Sequence, residues 1–319
     1  MALGEFELID RFFRRPARQA VVGVGDDCAV LAPTPGMQWC VTTDLLVEGR
    51  HFLPTVAPER LGHKALAVNL SDLAACGAEP RAFTLALAMP RADEAFLEGF
   101  ARGLLALADA HGIELVGGDT TAGPLVISIT AFGEVPAGRA LLRGGARAGD
   151  DLWVSGTLGD ARAALEAFRG NARISAEAFD AARCAMERPQ PRVALGIALR
   201  GLATSAIDLS DGLLGDLGHV LRASGVGACV ELAALPRSRW LGELPPALQR
   251  ICLLQGGDDY ELLFTAPAAR AAAVQAAAQG AGVAVARIGR IEPGAALRVV
   301  DADGRAVEVA ASGFDHFRT

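Results

Sequence analysis

Aspartates set among glycines and hydroxyl side chains are the residues of this sequence best equipped for chemistry. Val-Gly-Val-Gly-Asp-Asp-Cys-Ala-Val at 22–30 places Asp26 and Asp27 at a strand entrance, where alternation lets at most one of them face a given site. Taken alone, the pair reads rather as a solvated loop. In Val-Thr-Thr-Asp-Leu-Leu-Val-Glu-Gly-Arg-His-Phe at 41–52, Thr42 and Asp44 share one strand face, while Thr43 can still offer its carbonyl. Leu-Ser-Asp at 70–72 sets Asp72 near a helix C-terminus, where the macrodipole disfavours an anion by roughly 0.3–1 kcal/mol. An acid kept where it costs stability points to a cation. Glu-Leu-Val-Gly-Gly-Asp-Thr-Thr at 114–121 runs an apolar strand into Gly117 and Gly118, with Asp119 at the edge. Bare glycine backbone can approach a phosphate closely, and a tight turn is the alternative. In Ala-Ile-Asp-Leu-Ser-Asp-Gly-Leu at 206–213, Ser210 fits a helix N-cap and Asp211 its first turn, whereas Asp208 has no such structural reason. Gly-Gly-Asp-Asp-Tyr-Glu-Leu at 256–262 again puts paired acids after glycines and before a strand.

Hard oxygen ligation is the chemistry these motifs share. Mg²⁺ takes near-octahedral oxygen donors, one or two carboxylates per ion completed by waters and substrate phosphates. Aspartates converging without a metal would repel and raise one another's pKa values. Two or more Mg²⁺ ions and a triphosphate would balance the same cluster. Other engines are missing: the sequence has no P-loop, no Gly-x-Gly-x-x-Gly, no Gly-x-Ser-x-Gly and no His-Glu-x-x-His.

The elements that must carry these residues can be read in order. A helix is expected over 3–15, strands near 27–32 and 38–44, a helix over 58–76 and a strand near 82–88. A helix near 93–110 follows, with Asp93 as N-cap and Gly112 as stop, then strands near 113–117 and 124–133. Pro136–Gly149 reads as a crossover, dividing the chain into domains 1–137 and 138–319. The second half offers a strand at 151–155, helices from 159, 175, 191 and 211, strands near 228–232 and 260–265, an alanine-rich helix at 267–279 and terminal strands. Strands and helices mix without regular βαβ spacing, so an α+β class is expected.

Composition narrows the function. With 51% hydrophobic and 21% charged residues over 319 positions, the chain is globular and long enough for two cores. A net charge of −7 argues against a nucleic-acid partner. Lys64 is the only lysine, so phosphate charge must be met by arginine and metal. Six cysteines without a Cys-x-x-Cys read as buried, reduced thiols. No signal peptide or membrane span is visible, and a soluble cytoplasmic protein is expected.

In order, the motifs resemble those of the thiamine-monophosphate kinase family, within the aminoimidazole-ribonucleotide-synthetase-like superfamily. The likeness runs from Gly-Glu-Phe-Glu-Leu-Ile at 4–9 through Gly-Asp-Asp-Cys-Ala at 25–29 and the 42–52 segment. Lys-Ala-Leu-Ala-Val-Asn-Leu-Ser-Asp-Leu-Ala at 64–74, Gly-Gly-Asp-Thr-Thr at 117–121 and Ile-Asp-Leu-Ser-Asp-Gly-Leu at 207–213 continue it, and Phe-Asp-His-Phe at 314–317 closes it. The resemblance implies transfer of the ATP γ-phosphoryl group to thiamine monophosphate, by direct in-line attack. It implies Mg²⁺ sites from Asp27, Thr42, Thr43, Asp44, Asp72, Asp119, Asp208 and Asp211. ATP-binding positions would be Gly118, Asp119, Arg143 and Ser210, and substrate-binding positions His51, Asp258 and Phe314. It further implies a homodimer in which N-terminal sheets pair across subunits, and a C-terminal α+β domain. One departure is Asp258, where the family pattern has a glutamate one methylene longer.

A phosphate monoester acceptor is mostly dianionic at neutral pH and needs no general base, in keeping with the lack of a catalytic histidine. Taken singly, Arg143 reads rather as a solvated loop residue, His51 offers a comparable reading as a strand-edge polar residue, and Phe314 reads rather as core. The other readings are a superfamily relative that activates a carbonyl oxygen, a carbamoyl group or selenide, and a nucleotide-sensing module without catalysis. A relative of the selenide-activating kind would carry a reactive cysteine or selenocysteine with a lysine near its N-terminus, and a hydrogenase-maturation relative would end in cysteine; this chain ends Phe317-Arg318-Thr319.

Overall fold

Periodic apolar stripes and well-placed glycines resolve into two compact units in the computed structural model, which describes residues 4–25 and 28–308. The first unit holds Met1–Leu73 and Ala78–Gly138, the second Ala74–Gly77 and Arg139–Thr319. The class is α+β, as the sequence predicts.

In the first unit a short helix, α1 (Glu5–Leu8), continues as a π-helical turn over Ile9–Phe13. The strand expected near 27–32 is reduced to a single bridge between Val22 and Val30 among the described residues. Strand β1 (Met37–Val47) leads to helix α2 (Pro58–Ala75), strand β2 (Glu79–Met89), helix α3 (Glu94–His111) and strands β3 (Glu114–Ala122) and β4 (Val126–Pro136). The sheet order is β1-β4-β2-β3, antiparallel except for the β2–β3 pair. Asp93 caps α3 by accepting the Phe96 N–H at 3.1 Å, and Gly112 ends it in the left-handed region at φ 63°. Leu61, Leu66, Leu70 and Leu73 of α2 are each at most 1% exposed. Helices α2 and α3 meet backbone to backbone. A Cβ on Gly62 would lie 2.0 Å from Phe100 O, and one on Gly103 1.8 Å from Glu59 O.

In the second unit, β5 (Asp150–Ser155) is followed by α4 (Asp160–Phe168), α5 (Ala176–Glu187) and α6 (Val193–Ala198). Then come β6 (Ser205–Asp208), α7 (Leu213–Ser224), β7 (Gly227–Glu231), α8 (Pro246–Gln255), β8 (Leu262–Pro267), α9 (Ala271–Gly280), β9 (Val285–Glu292) and β10 (Leu297–Val300). The six-stranded sheet runs β10-β7-β9-β5-β8-β6, antiparallel except for β10–β7. One core joins Leu152 and Val154 of β5 to Leu217 of α7 and Leu253 of α8.

Two expectations need correction here. All six cysteines are free, but Cys252 alone is buried, while Cys28 and Cys184 are exposed. Helix α8 was not foreseen, although Pro246 at its first turn is a start signal.

Candidate active site

The first unit brings Thr42, Asp44 and Asp72 to one place, and alternation along β1 is the reason. Thr42, Asp44 and Leu46 pair with Ala131, Ile129 and Ile127 of β4, so they share the buried face of the sheet. Asp72, in the last turn of α2, accepts a hydrogen bond from the Thr42 hydroxyl through Oδ2. Asp44 stands on the same face with its Oδ2 buried and without a hydrogen-bond partner among the described residues. Burial, and then the charge of Asp72, push the Asp44 carboxyl up to about 7. Two acids in mutual repulsion, one with an orphaned oxygen, make a site short of positive charge. Thr43 points to the opposite face, where its hydroxyl lies 2.9 Å from that of Thr130.

The donors fit Mg²⁺. They are carboxylate and hydroxyl oxygens only, and a cation would satisfy the orphaned atom that no N–H reaches. Among the described residues no three His, Cys, Asp or Glu side chains form a ready metal group. The remaining coordination would thus fall to water, to phosphates or to Asp27, which lies outside the described residues.

Gly118 and Asp119 sit inside β3, which continues to Ala122, so neither the expected strand end near 117 nor the alternative of a tight turn occurs. Gly118 has φ 149°, and a Cβ on it would fall 1.8 Å from Leu85 O, beside the register shift where β3 inserts Val116 opposite Phe83 and Thr84 of β2. Asp119 is exposed, and its Oδ1 accepts the Thr120 N–H at 2.8 Å. His51 is half-buried, and its Nδ1 accepts the Val47 N–H at 3.0 Å, so any proton on the neutral ring sits on Nε2.

In the second unit, Asp208 ends β6 and is buried, while Ser210 and Asp211 lie in the loop before α7. The expected N-cap role of Ser210 is not realised. Gly212, at φ 103°, is the N-cap residue, so Asp211 precedes the helix instead of occupying its first turn. Arg143 is exposed in the segment before β5. Burial lowers the pKa of His219 on α7, and the charges of Arg222 and Arg143 lower it further against the pull of Asp211. Arg143 and Asp211 thus border the same stretch of α7.

The 256–261 segment folds against this loop. Asp258 N–H donates to Ser210 O at 2.9 Å and Tyr260 N–H to Leu209 O at 2.8 Å. Asp258 and Tyr260 are the two non-glycine residues with positive φ, 68° and 50°, among those described. The Tyr260 hydroxyl donates to Asp258 Oδ1 at 3.0 Å. Glu261, buried, receives Arg192 through Nε at 2.7 Å and Nη2 at 2.5 Å, and the Ser155 hydroxyl at 2.5 Å. No local pattern in the sequence announces that pair, whose members stand 69 residues apart. Phe314 lies outside the described residues.

Residues 25–135 match the family model described as AIR synthase related protein, N-terminal domain, and residues 147–302 match its C-terminal domain. The chain is 45% identical to the thiamine-monophosphate kinase of Escherichia coli (strain K12) over 100% of both chains. It is similar to the solved thiamine-monophosphate kinase from Stenotrophomonas maltophilia K279a, with a TM-score of 0.86 and 47% identity over 96% of this chain and 99% of that one. A second structure, AaThiL complexed with AMPPCP and TMP, gives a TM-score of 0.76 and 33% identity over 90% of this chain and 89% of that one.

Proposed function

We propose a metal-assisted, in-line phosphoryl transfer for this chain, which belongs to the thiamine-monophosphate kinase family. Its activity is the ATP-dependent phosphorylation of thiamine monophosphate, yielding thiamine diphosphate and ADP. The single observation that carries the metal reading is the buried, partnerless Oδ2 of Asp44 beside Asp72.

Asp44, Asp72 and the Thr42 hydroxyl would hold Mg²⁺ on the first unit, where Asp27, Asp119 and the Thr43 carbonyl are further oxygen donors, and Asp208 and Asp211 would contribute to Mg²⁺ sites on the second. When bound, the metal supplies charge neutralisation for the phosphates during transfer. The chain's own residues do the positioning. Gly118, Asp119, Arg143 and Ser210 bind ATP, and Arg143 brings fixed positive charge that does not titrate. His51, Asp258 and Phe314 hold thiamine monophosphate. The acceptor phosphate is already ionised at neutral pH, so no side chain has to remove a proton from it.

The homodimer is proposed on the exposed face of the first sheet. Trp39, Val41 and Leu45 of the edge strand β1 are 38%, 58% and 52% exposed, and Trp39 meets Phe132 edge-on at 6.4 Å. Sedimentation at micromolar concentration should give a dimer, and a monomer there would contradict this part. No helix among the described residues is long and apolar enough to cross a membrane. The need for ATP and the six free thiols support a cytoplasmic setting.

Purified protein with ATP, Mg²⁺ and thiamine monophosphate should form thiamine diphosphate and ADP in equal amounts. Leaving out Mg²⁺ should abolish the reaction. Full turnover in chelator would sink the metal role.

A further inference from the structure

The carboxyl of Asp216 has no part in the reading above, yet the loop that carries Ser210 and Asp211 is built around it. Asp216 lies in the first turn of α7 and is 3% exposed. Its Oδ2 accepts the Asp211 N–H at 3.1 Å, and the N–H groups of Gly212 and Ser210 act on the same carboxylate. Three consecutive backbone donors therefore converge on one side chain. Gly212 offers no capping side chain, and Asp216 reaches back from inside the helix to the N–H groups of the loop that leads into it.

The other side of the loop is fixed by the 256–261 segment. Besides the Asp258 and Tyr260 bonds, Leu209 N–H donates to Glu261 O at 2.9 Å. A Cβ on Gly257 would lie 2.4 Å from Ser210 O, so the two backbones are in contact. Ser210 thus stands between a buried carboxylate and the backbone of Asp258.

We infer that Asp216 is a positioning residue: it holds the Ser210–Gly212 N–H groups, and so fixes the nucleotide-binding loop. Through the Asp258 N–H···O Ser210 bond, the acceptor-binding segment is held with it. The inference rests on the reading that Ser210 and Asp211 serve ATP and that Asp258 serves thiamine monophosphate. A charge aimed at three N–H groups differs from core filling. Replacing it leaves the donors unmade inside the protein, and the loop must move to find water.

Calorimetric affinities for AMPPCP with Mg²⁺ and for thiamine monophosphate test this without requiring turnover. The proteins to compare are wild type, Asp216→Ala, Asp216→Asn and Leu217→Ala. Leu217, the next residue, is 0% exposed in the core and controls for lost stability. Asp216→Ala should weaken AMPPCP about tenfold and thiamine monophosphate about threefold, an unmade buried hydrogen bond being the cause. Asp216→Asn keeps one acceptor oxygen and should lose only about threefold for AMPPCP. Leu217→Ala should lower the melting temperature at least as far, with both affinities within about twofold of wild type. Equal losses in Leu217→Ala and Asp216→Ala, or wild-type affinities in Asp216→Ala, overturn the inference. Should Asp216→Ala fail to fold, wild-type AMPPCP affinity in Asp216→Asn overturns it in the same way. A wild-type protein that binds both ligands but forms no thiamine diphosphate contradicts the functional reading alone.

Discussion

Asp44 in the first unit, half-buried with one enclosed oxygen, and the buried carboxylates Asp216 and Glu261 in the second are satisfied in opposite ways. Asp44 presents an enclosed oxygen that no N–H or O–H of the described residues reaches, next to a second acid. Asp216 collects the N–H groups of its own loop, and Glu261 collects Arg192 and Ser155. A buried acid with its own donors is part of the scaffold, whereas one without donors awaits a cation from outside. On the proposed metal reading, the protein separates the charge it needs for chemistry from the charge it needs for shape.

The strongest way to break this contrast is to neutralise each kind of acid in turn. Asp44→Asn and Asp72→Asn should each reduce turnover by ~10³-fold while leaving circular dichroism and the melting temperature near wild type. Wild-type-like steady-state rates in either variant would end the metal assignment.

Removing a scaffold partner should do the reverse. Arg192→Ala leaves Glu261 buried with the Ser155 hydroxyl and no cation, at a cost of about 3 kcal/mol in urea denaturation. A loss below about 1 kcal/mol would place that ion pair with ordinary surface pairs.

The next effect is on pH. Burial first, and then the Asp72 charge, raise Asp44 to about 7; burial likewise raises Asp216 to about 7, its three N–H donors opposing. A folded-state pKa above the unfolded value means that the native protein binds the proton more tightly. The stability this contributes is full below the unfolded pKa near 3.8 and declines as pH rises, until it is gone above about 7. Metal-free protein should therefore lose on the order of 2–4 kcal/mol between pH 4 and pH 8 through Asp44. Asp44→Asn should remove that share of the slope in denaturant titrations, and the Asp216 share should remain. An unchanged slope in Asp44→Asn would show that Asp44 is not the group that titrates.

The smallest effect concerns Asp258, which holds φ 68°. Aspartate tolerates the left-handed region better than glutamate does. Asp258→Glu should therefore lower stability by about 0.5–1 kcal/mol while changing KM for thiamine monophosphate less than about threefold. A tenfold fall in KM would mean that the shorter side chain limits reach more than backbone strain does.

How much of this could be read from the sequence depended on distance along the chain. Asp72 near a helix end, and Thr42 with Asp44 on one strand face, follow from the periods of helix and strand. Asp93 and Gly112 likewise bracket α3 where local capping rules put them. The start of α7 was misread because Ser210 is a good N-cap by type. The N-cap is instead Gly212, in a conformation that no other residue adopts easily, and Asp216 reaches back from within the helix to the Asp211 N–H that precedes it. At Gly118 the sequence offers phosphate approach or a tight turn, yet the Leu85 carbonyl, beside the register shift at Val116 of β3, is what excludes a side chain there. Glu261 and Arg192 meet only through the topology of the second sheet and α6, which no local pattern encodes.

The central claim is that the partnerless oxygen of Asp44 is a divalent-cation ligand. Equilibrium binding of Mn²⁺, used as a paramagnetic substitute for Mg²⁺ and counted by electron paramagnetic resonance in the presence of AMPPCP, tests it most directly. Asp44→Asn should bind fewer Mn²⁺ ions than wild type at the same free concentration, while Asp216→Asn, once saturated with AMPPCP, should bind the wild-type number. The same Mn²⁺ occupancy in Asp44→Asn and wild type would contradict the account.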